Sequence, residues 1–200
     1  TGEVLVDEPA SIRIDRVSAG RMDPIARRGA GVGLIPEEQL GHGAVPEMSL
    51  WENAFLSGAT RMGLQKNGFI QVAASNAFAE KVVDEFRVKT TGVSHAANSL
   101  SGGNLQKFIV GREIMQNPGV IVALQPTWGV DAGSAAAIRQ ALIDLASRGA
   151  AVLAVSQDLE ELFEISDRIA VICEGRMSEA RPVENVTVEE IGLLMAGIGL

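Results

Sequence analysis

Ser101, Gly102 and Gly103 stand just before an apolar periodic run that opens at Leu105, in the stretch LSGGNLQKF (100–108). Adjacent glycines weaken a helix, so a helix that starts on them has another use for them. The first N–H groups of a helix have no internal partner, and where no Cβ intervenes a phosphate can approach them closely. The chemistry on offer is anion binding; the competing reading is a plain loop-to-helix junction. A complete phosphate cradle of the G-x-x-x-x-G-K-[ST] type needs a lysine directly after glycine. Lys66, Lys81, Lys89 and Lys107 follow Gln65, Glu80, Val88 and Gln106, so this sequence holds no such cradle.

Other polar residues offer less. Asp131 precedes a run of small residues, where it can cap a helix or serve as an exposed contact. Glu37 and Glu38 follow Pro36 and read as turn acids, Gln125 as a polar residue ending a strand, and Trp128 as an aromatic packed in a loop. Glu160, Glu161 and Glu164 read as the solvated face of a helix. His42 and His95 stand alone in loop-like stretches, and Cys173 is the single cysteine. Neither a disulfide nor a cysteine-based zinc site can form, and no metal site is expected.

The elements that must position these residues follow from periodicity. TGEVLVDEPASIRIDRV reads as two short strands around a turn, with Ile12 and Ile14 alternating with Arg13 and Asp15. GVGLIPEE (31–38) is a short apolar run. Ser49 and Glu52 form a capping-box pattern that starts a helix. Phe78, Val82 and Phe86 stand four apart on a second helix, and Leu105, Phe108 and Ile109 share one face of a third. VIVAL (120–124) and AVLAVS (151–156) read as strands buried on both faces. Between them lies a helix carrying Ile138, Ala141, Leu142 and Leu145, which Gly149 stops. DLEELFEIS reads as a short helix with Asp158 and Glu161 at capping-box spacing, and RIAVICEGR (168–176) as a third strand with a Glu-Gly turn. Ile191, Leu194 and Met195 pack a last helix into the core. Alternating strands and helices from residue 120 onward predict a parallel α/β sheet. The expected organisation is residues 1–48 as an antiparallel β region, 49–115 as a helical lobe and 116–200 as the parallel core.

With 17 basic and 25 acidic side chains, the net charge of −8 excludes a general nucleic-acid binder, which needs cations to track phosphates. No apolar run reaches the roughly 20 residues of a membrane-spanning helix.

In their order, LSGGNLQK, then VIVAL, then QPTWGVD, then VSQDLEELFEISDRIAVICEG resemble the nucleotide-binding domain of ABC transporters. The likeness covers essentially the whole chain and is nearest to the second half of the duplicated ATPase subunit of simple-sugar and nucleoside importers. It implies a P-loop NTPase-like α/β domain with an inserted helical lobe. By the same resemblance LSGG is the signature loop, VIVAL the Walker B strand and GVD the D-loop; SQD lies in the switch-histidine region and GLIPEE around the Q-loop. TGEVLVDEP resembles the segment that follows the Walker A helix, so a fragment lacking the P-loop strand is expected.

The departures from the family pattern carry chemical meaning. Leu124 and Gln125 stand where the Walker B strand ends in Asp-Glu; leucine cannot ligate Mg²⁺, and glutamine cannot act as a charged base. Gln157 occupies the switch-histidine position, and Glu37 the Q-loop glutamine position. The resemblance therefore implies a chain inactive by itself. Ser101, Gly102 and Gly103 would complete ATP held by a partner domain, with Asn104 and Gln106 as polar supporters and Asp131 touching that partner. ATP and Mg²⁺ are expected in the assembled transporter and not on the isolated chain. The implied partners are a second nucleotide-binding domain with an intact P-loop and transmembrane permease subunits contacting residues 49–60. The implied location is cytoplasmic, peripheral at the inner face of the membrane, without insertion. A non-catalytic interaction domain of the same fold is the alternative. A chromosome-maintenance ATPase, which shares LSGG, fits neither the acidic charge nor the lack of coiled-coil heptads.

Overall fold

Local side-chain chemistry sets where the helices begin. Helix α1 (Pro24–Gly29) starts on Asp23, whose carboxylate accepts the Ala26 N–H at 2.7 Å. Helix α2 (Leu50–Gly58) starts on the expected capping box: the Ser49 hydroxyl accepts the Glu52 N–H at 3.3 Å, and the Glu52 carboxylate accepts the Ser49 N–H at 2.8 Å. The computed structural model describes residues 2–199, so Thr1 and Leu200, at the two ends of the segments read above, lie outside the described residues. These residues form two compact units that divide between Val155 and Ser156.

In the first unit the opening run differs from the expected strand pair. A 3₁₀ turn (Pro9–Ser11) precedes a hairpin of two-residue strands, β1 (Arg13–Ile14) and β2 (Val17–Ser18). Asp15 and Arg16 both take positive φ, the left-handed geometry of a tight hairpin turn. Strand β3 (Val32–Ile35) then enters a parallel sheet. After α2 come a second hairpin, β4 (Gln65–Lys66) and β5 (Phe69–Ile70), and helices α3 (Val72–Glu85) and α4 (Gly102–Ile114). Phe78 and Val82 are buried on α3, and Leu105, Phe108 and Ile109 on α4, as their spacing predicts. Strand β6 (Val120–Leu124), helix α5 (Ala132–Ser147) and strand β7 (Ala151–Val155) complete the unit.

The parallel sheet has the order β3-β6-β7, with Val32 opposite Val120 and Val120 opposite Ala151. Ile35, Ile121, Ala123, Ile138, Leu142 and Leu145 form its buried core. Burial alternates along both β6 and β7. The expectation of two strands buried on both faces is therefore corrected: β7 is an edge strand, with Leu153 57% and Val155 43% exposed.

The second unit contains α6 (Leu159–Ile165), β8 (Arg168–Ile169), β9 (Ile172–Cys173), β10 (Arg176–Met177), β11 (Arg181–Pro182) and α7 (Val188–Met195). RIAVICEGR is not one strand of the parallel sheet. It breaks into β8, antiparallel to β11, and β9, antiparallel to β10 across the Glu174-Gly175 turn. Ile169, Val171, Val186 and Ile191 make a separate small core with Leu162, Phe163 and Leu194 packed against it. Met195, expected in that core, is exposed. Glu160 and Glu164 are exposed as predicted, whereas Glu161 is buried at the start of α6, its N–H donated to Asp158 at 3.1 Å.

Candidate functional site

Helix α4 begins on Ser101, and the serine side chain does not cap it. Its hydroxyl instead accepts from the Asn104 amide at 2.9 Å, while the Asn104 carbonyl oxygen accepts the Lys89 N–H at 2.9 Å. Asn104 therefore orients the hydroxyl and ties the helix start to the loop after α3. Ser101 and Gly102 are exposed, so the first-turn N–H groups face outward without a side-chain partner. The positive end of the helix dipole adds to the attraction for an anion. Among the predicted residues, Ser101, Gly102, Gly103 and Asn104 thus share one small surface.

The loop that follows β6 lies directly against this surface. A Cβ placed on Gly103 would stand 3.4 Å from the Gly129 carbonyl oxygen and 3.5 Å from the Val130 Cα, ordinary van der Waals contact that brings the two loops side by side. Gln125 takes φ +49 and turns the chain off the strand; its N–H donates to the Val155 carbonyl at 2.8 Å. Trp128 is 68% exposed, contrary to the expectation of a packed ring.

Asp131 ends that loop and performs the capping role open to it. Its carboxylate accepts the Ser134 N–H at 3.0 Å and the Ser134 hydroxyl at 2.7 Å, at the start of α5. Those two bonds, the hydroxyl first, hold its carboxyl below the usual range, and the Lys107 charge adds to the effect. Lys107 itself is pushed down by partial burial, which Asp131 opposes. Exposure leaves Asp131 open to a further contact.

Gln106 does not join the exposed surface. It is 1% exposed and donates its amide to the Pro126 carbonyl at 2.8 Å. Gln106, expected as a polar supporter of the phosphate site, therefore lies behind the exposed surface and not on it. The signal was available in the sequence, since Gln106, Ile109 and Glu113 stand at i, i+3 and i+7 on one helical face. Gln39, which the sequence reading passed over, lies at the convergence of both loops. Its Oε1 is 3.6 Å from where a Gly102 Cβ would be, and its Nε2 is 4.0 Å from that of Gly129.

Glu37 and Leu124 belong to a different place. With Glu3, Leu34, Pro36, Glu38 and His42 they line a cavity of about 450 Å³ at the C-terminal ends of β3 and β6. His42 meets Glu38 at 2.7 Å. The lining offers carboxylates and an aliphatic side chain, and no lysine or arginine to receive a triphosphate. No cluster of three or more His, Cys, Asp or Glu side chains able to hold a metal ion occurs among the described residues. These residues do not fit a Mg²⁺–ATP site, whereas the start of α4 fits a phosphate. Gln157 lies in the second unit, exposed just before α6.

This α/β arrangement is the ABC ATPase cassette fold. A nucleotide-free ABC transporter cassette superimposes with a TM-score of 0.71 over 100% of this chain and 80% of that one, at 20% identity. The dimeric post-hydrolysis cassette MJ0796 bound to ADP and Pi gives a TM-score of 0.70 over 85% of this chain and 72% of that one, at 21% identity. No family model matches the sequence. The chain is a homologue of nucleoside and sugar import ATP-binding proteins. It is 37% identical over 197 residues to the nucleoside import ATP-binding protein NupA of Lactococcus lactis, covering 98% of this chain and 39% of that protein. It is 39% identical over 168 residues to the guanosine import ATP-binding protein NupO of Bacillus subtilis, covering 84% of this chain and 33% of that protein. The chain thus spans between a third and two fifths of the length of these curated relatives. Among the described residues no helix is long and apolar enough to cross a membrane.

Proposed function

We propose that this chain is part of the ATP-binding subunit of an ABC importer for a nucleoside or simple sugar, in which Ser101, Gly102 and Gly103 complete an ATP site carried by another domain. The observation that carries this reading is the exposed, uncapped start of α4, with two glycines and a serine hydroxyl that Asn104 orients. These groups supply N–H and O–H donors fixed in advance where phosphate charge must be met. Asp131, exposed beside them, is the residue assigned to the domain contact. The cavity at Glu37 and Leu124 is the degenerate counterpart, with neither lysine nor arginine in its lining to hold nucleotide. The chain alone is inactive on this reading, and ATP and Mg²⁺ enter with the partner that has an intact P-loop.

The permease is assigned to the helical lobe of residues 49–115, with α2 and its exposed Leu56 as the contact. Residues 1–48 and 116–200 supply the remaining sheet and core. The location that follows is cytoplasmic and peripheral, held at the membrane by the permease. ATP turnover by the chain mixed with an ABC cassette bearing an intact phosphate loop tests the reading. Turnover is expected from the mixture, not from the chain alone, and Ser101→Arg should abolish it. Turnover that survives Ser101→Arg would sink the assignment, and a mixture without turnover would favour the non-catalytic interaction domain.

A further inference from the structure

Gln106 is among the largest side chains buried to below 2% exposure, and its amide makes a single hydrogen bond, to the Pro126 carbonyl. Its Oε1 has no hydrogen-bond partner. A buried amide left half-satisfied is costly, and an aliphatic residue of similar volume would remove that cost. The bond that survives reaches across 20 residues to the loop between β6 and α5. The loop is also held at its start by the Gln125 N–H to the Val155 carbonyl at 2.8 Å, within by Trp128 N–H to the Gln125 carbonyl at 3.0 Å and Val130 N–H to the Thr127 carbonyl at 3.4 Å, and at its end by the Asp131 cap on Ser134. Gly103 also lies beside Gly129 and Val130, and the Gln39 amide stands near Gly129.

We propose that Gln106 is a positioning residue: its hydrogen bond to Pro126 fastens the loop Pro126–Asp131 to the first turns of α4, so that Ser101 and Asp131 form one fixed face toward the partner domain. The element that carries the phosphate donors and the loop that carries the domain contact then move together. This rests on the proposed role of Ser101 for its functional consequence, but the ordering of the loop does not depend on that role.

Two readouts separate the claims. The first is amide hydrogen exchange on the 200-residue chain. Gln106→Met keeps the volume and removes the donor; exchange at Trp128 and Val130 should accelerate by about tenfold, while Leu142 in the middle of α5 keeps its protection. Gln106→Glu adds a rescue, because a protonated acid regains an O–H for the Pro126 carbonyl. Relative to the unaltered chain at each pH, protection at Trp128 and Val130 should return as pH falls and the buried carboxyl takes up its proton. Unchanged exchange in Gln106→Met, or loss of protection throughout the chain, overturns the proposal.

The second readout is ATP turnover with the partner cassette. Gln106→Met should lower kcat by about fivefold or more with KM for ATP unchanged, the mark of misplacement rather than lost binding. If Ser101→Arg abolishes turnover and Gln106→Met leaves kcat intact, the positioning role is wrong. If Ser101→Arg has no effect, the partner-site reading fails instead, and the exchange result alone decides whether Gln106 orders the loop.

Discussion

Arg28 donates to Glu113 at 2.8 Å across 85 residues, and the Glu113 side chain is only 1% exposed. Arg112, the residue before it, is also buried and sends its guanidinium the other way, to the carbonyls of Gly43 and, at 3.2 Å, Asn53, while its Nε meets Glu113 at 3.3 Å. The end of α4 thus holds α1 through one residue and α2 through the next. Burial lowers the Arg112 pKa, and the Glu113 charge opposes the shift.

Removing one member of this cluster should cost far more than a surface ion pair. Glu113→Ala leaves Arg112 buried without its carboxylate, and a loss of about 3–5 kcal/mol is expected. Urea unfolding of the two chains measures it. A loss below about 1 kcal/mol, the range of an exposed pair, would show that the cluster is solvated.

Gly111 is where α4 meets α3. A Cβ there would lie 2.6 Å from Phe86 Cδ2 and 3.0 Å from Val82 Cγ1. Gly111→Ala should destabilise by about 1–3 kcal/mol through overpacking, despite alanine's better helix propensity. Pairing it with Phe86→Leu should recover part of the loss, read as non-additivity in a double-mutant cycle.

The capping box at α2 makes a pH prediction. The Ser49 hydroxyl, then the Ser49 N–H, hold the Glu52 carboxyl below its ordinary 4.5. A folded pKa lower than the unfolded one gives stabilisation that is full above the unfolded value and lost as pH falls through the folded value. The stability difference between the parent chain and Glu52→Gln should therefore be largest near neutrality and shrink below pH 4.5. Ser49→Ala should cost about 1 kcal/mol at neutral pH.

Asp131 has a cap and a charge that can be separated. Asp131→Asn keeps an acceptor for the Ser134 N–H and should preserve the thermal midpoint better than Asp131→Ala. Its carboxyl is also depressed, so the same sign applies: the advantage of Asp over Asn should fade as pH drops below the usual carboxylate range. If turnover with the partner cassette is lost equally in both variants, the charge itself is the contact.

Features that depend on near neighbours were legible in the sequence. Ser49, Asp131 and Asp158 mark helix starts because each side chain meets an N–H three residues on. The start of α4 at Ser101–Gly103 was also legible, although Ser101 accepts from the Asn104 side chain rather than from a backbone N–H. Partnership across the chain was not. β7 and β6 carry similar apolar runs, and only the strand order makes one an edge. RIAVICEGR breaks because its first residues pair with Arg181 and Pro182 beyond it, while its end folds back so that Cys173 faces Arg176. Nothing local names the partners of Arg112 and Glu113, which lie in α1, after β3 and in α2. Gln106 was read as a polar supporter, and its helical face, shared with Ile109, already marked it as buried rather than exposed.

The border formed by β7 has a consequence for handling the polypeptide. Among the described residues no strand pairs with the outer side of Ala151 to Val155, where Leu153 and Val155 are exposed with neither proline nor charge between. Such a ribbon is a template on which a second copy can lay its own strand, an aggregation hazard carried by five residues remote in sequence from Ser101. A lysine in place of Leu153 would interrupt that lateral growth and leave the glycine turn untouched.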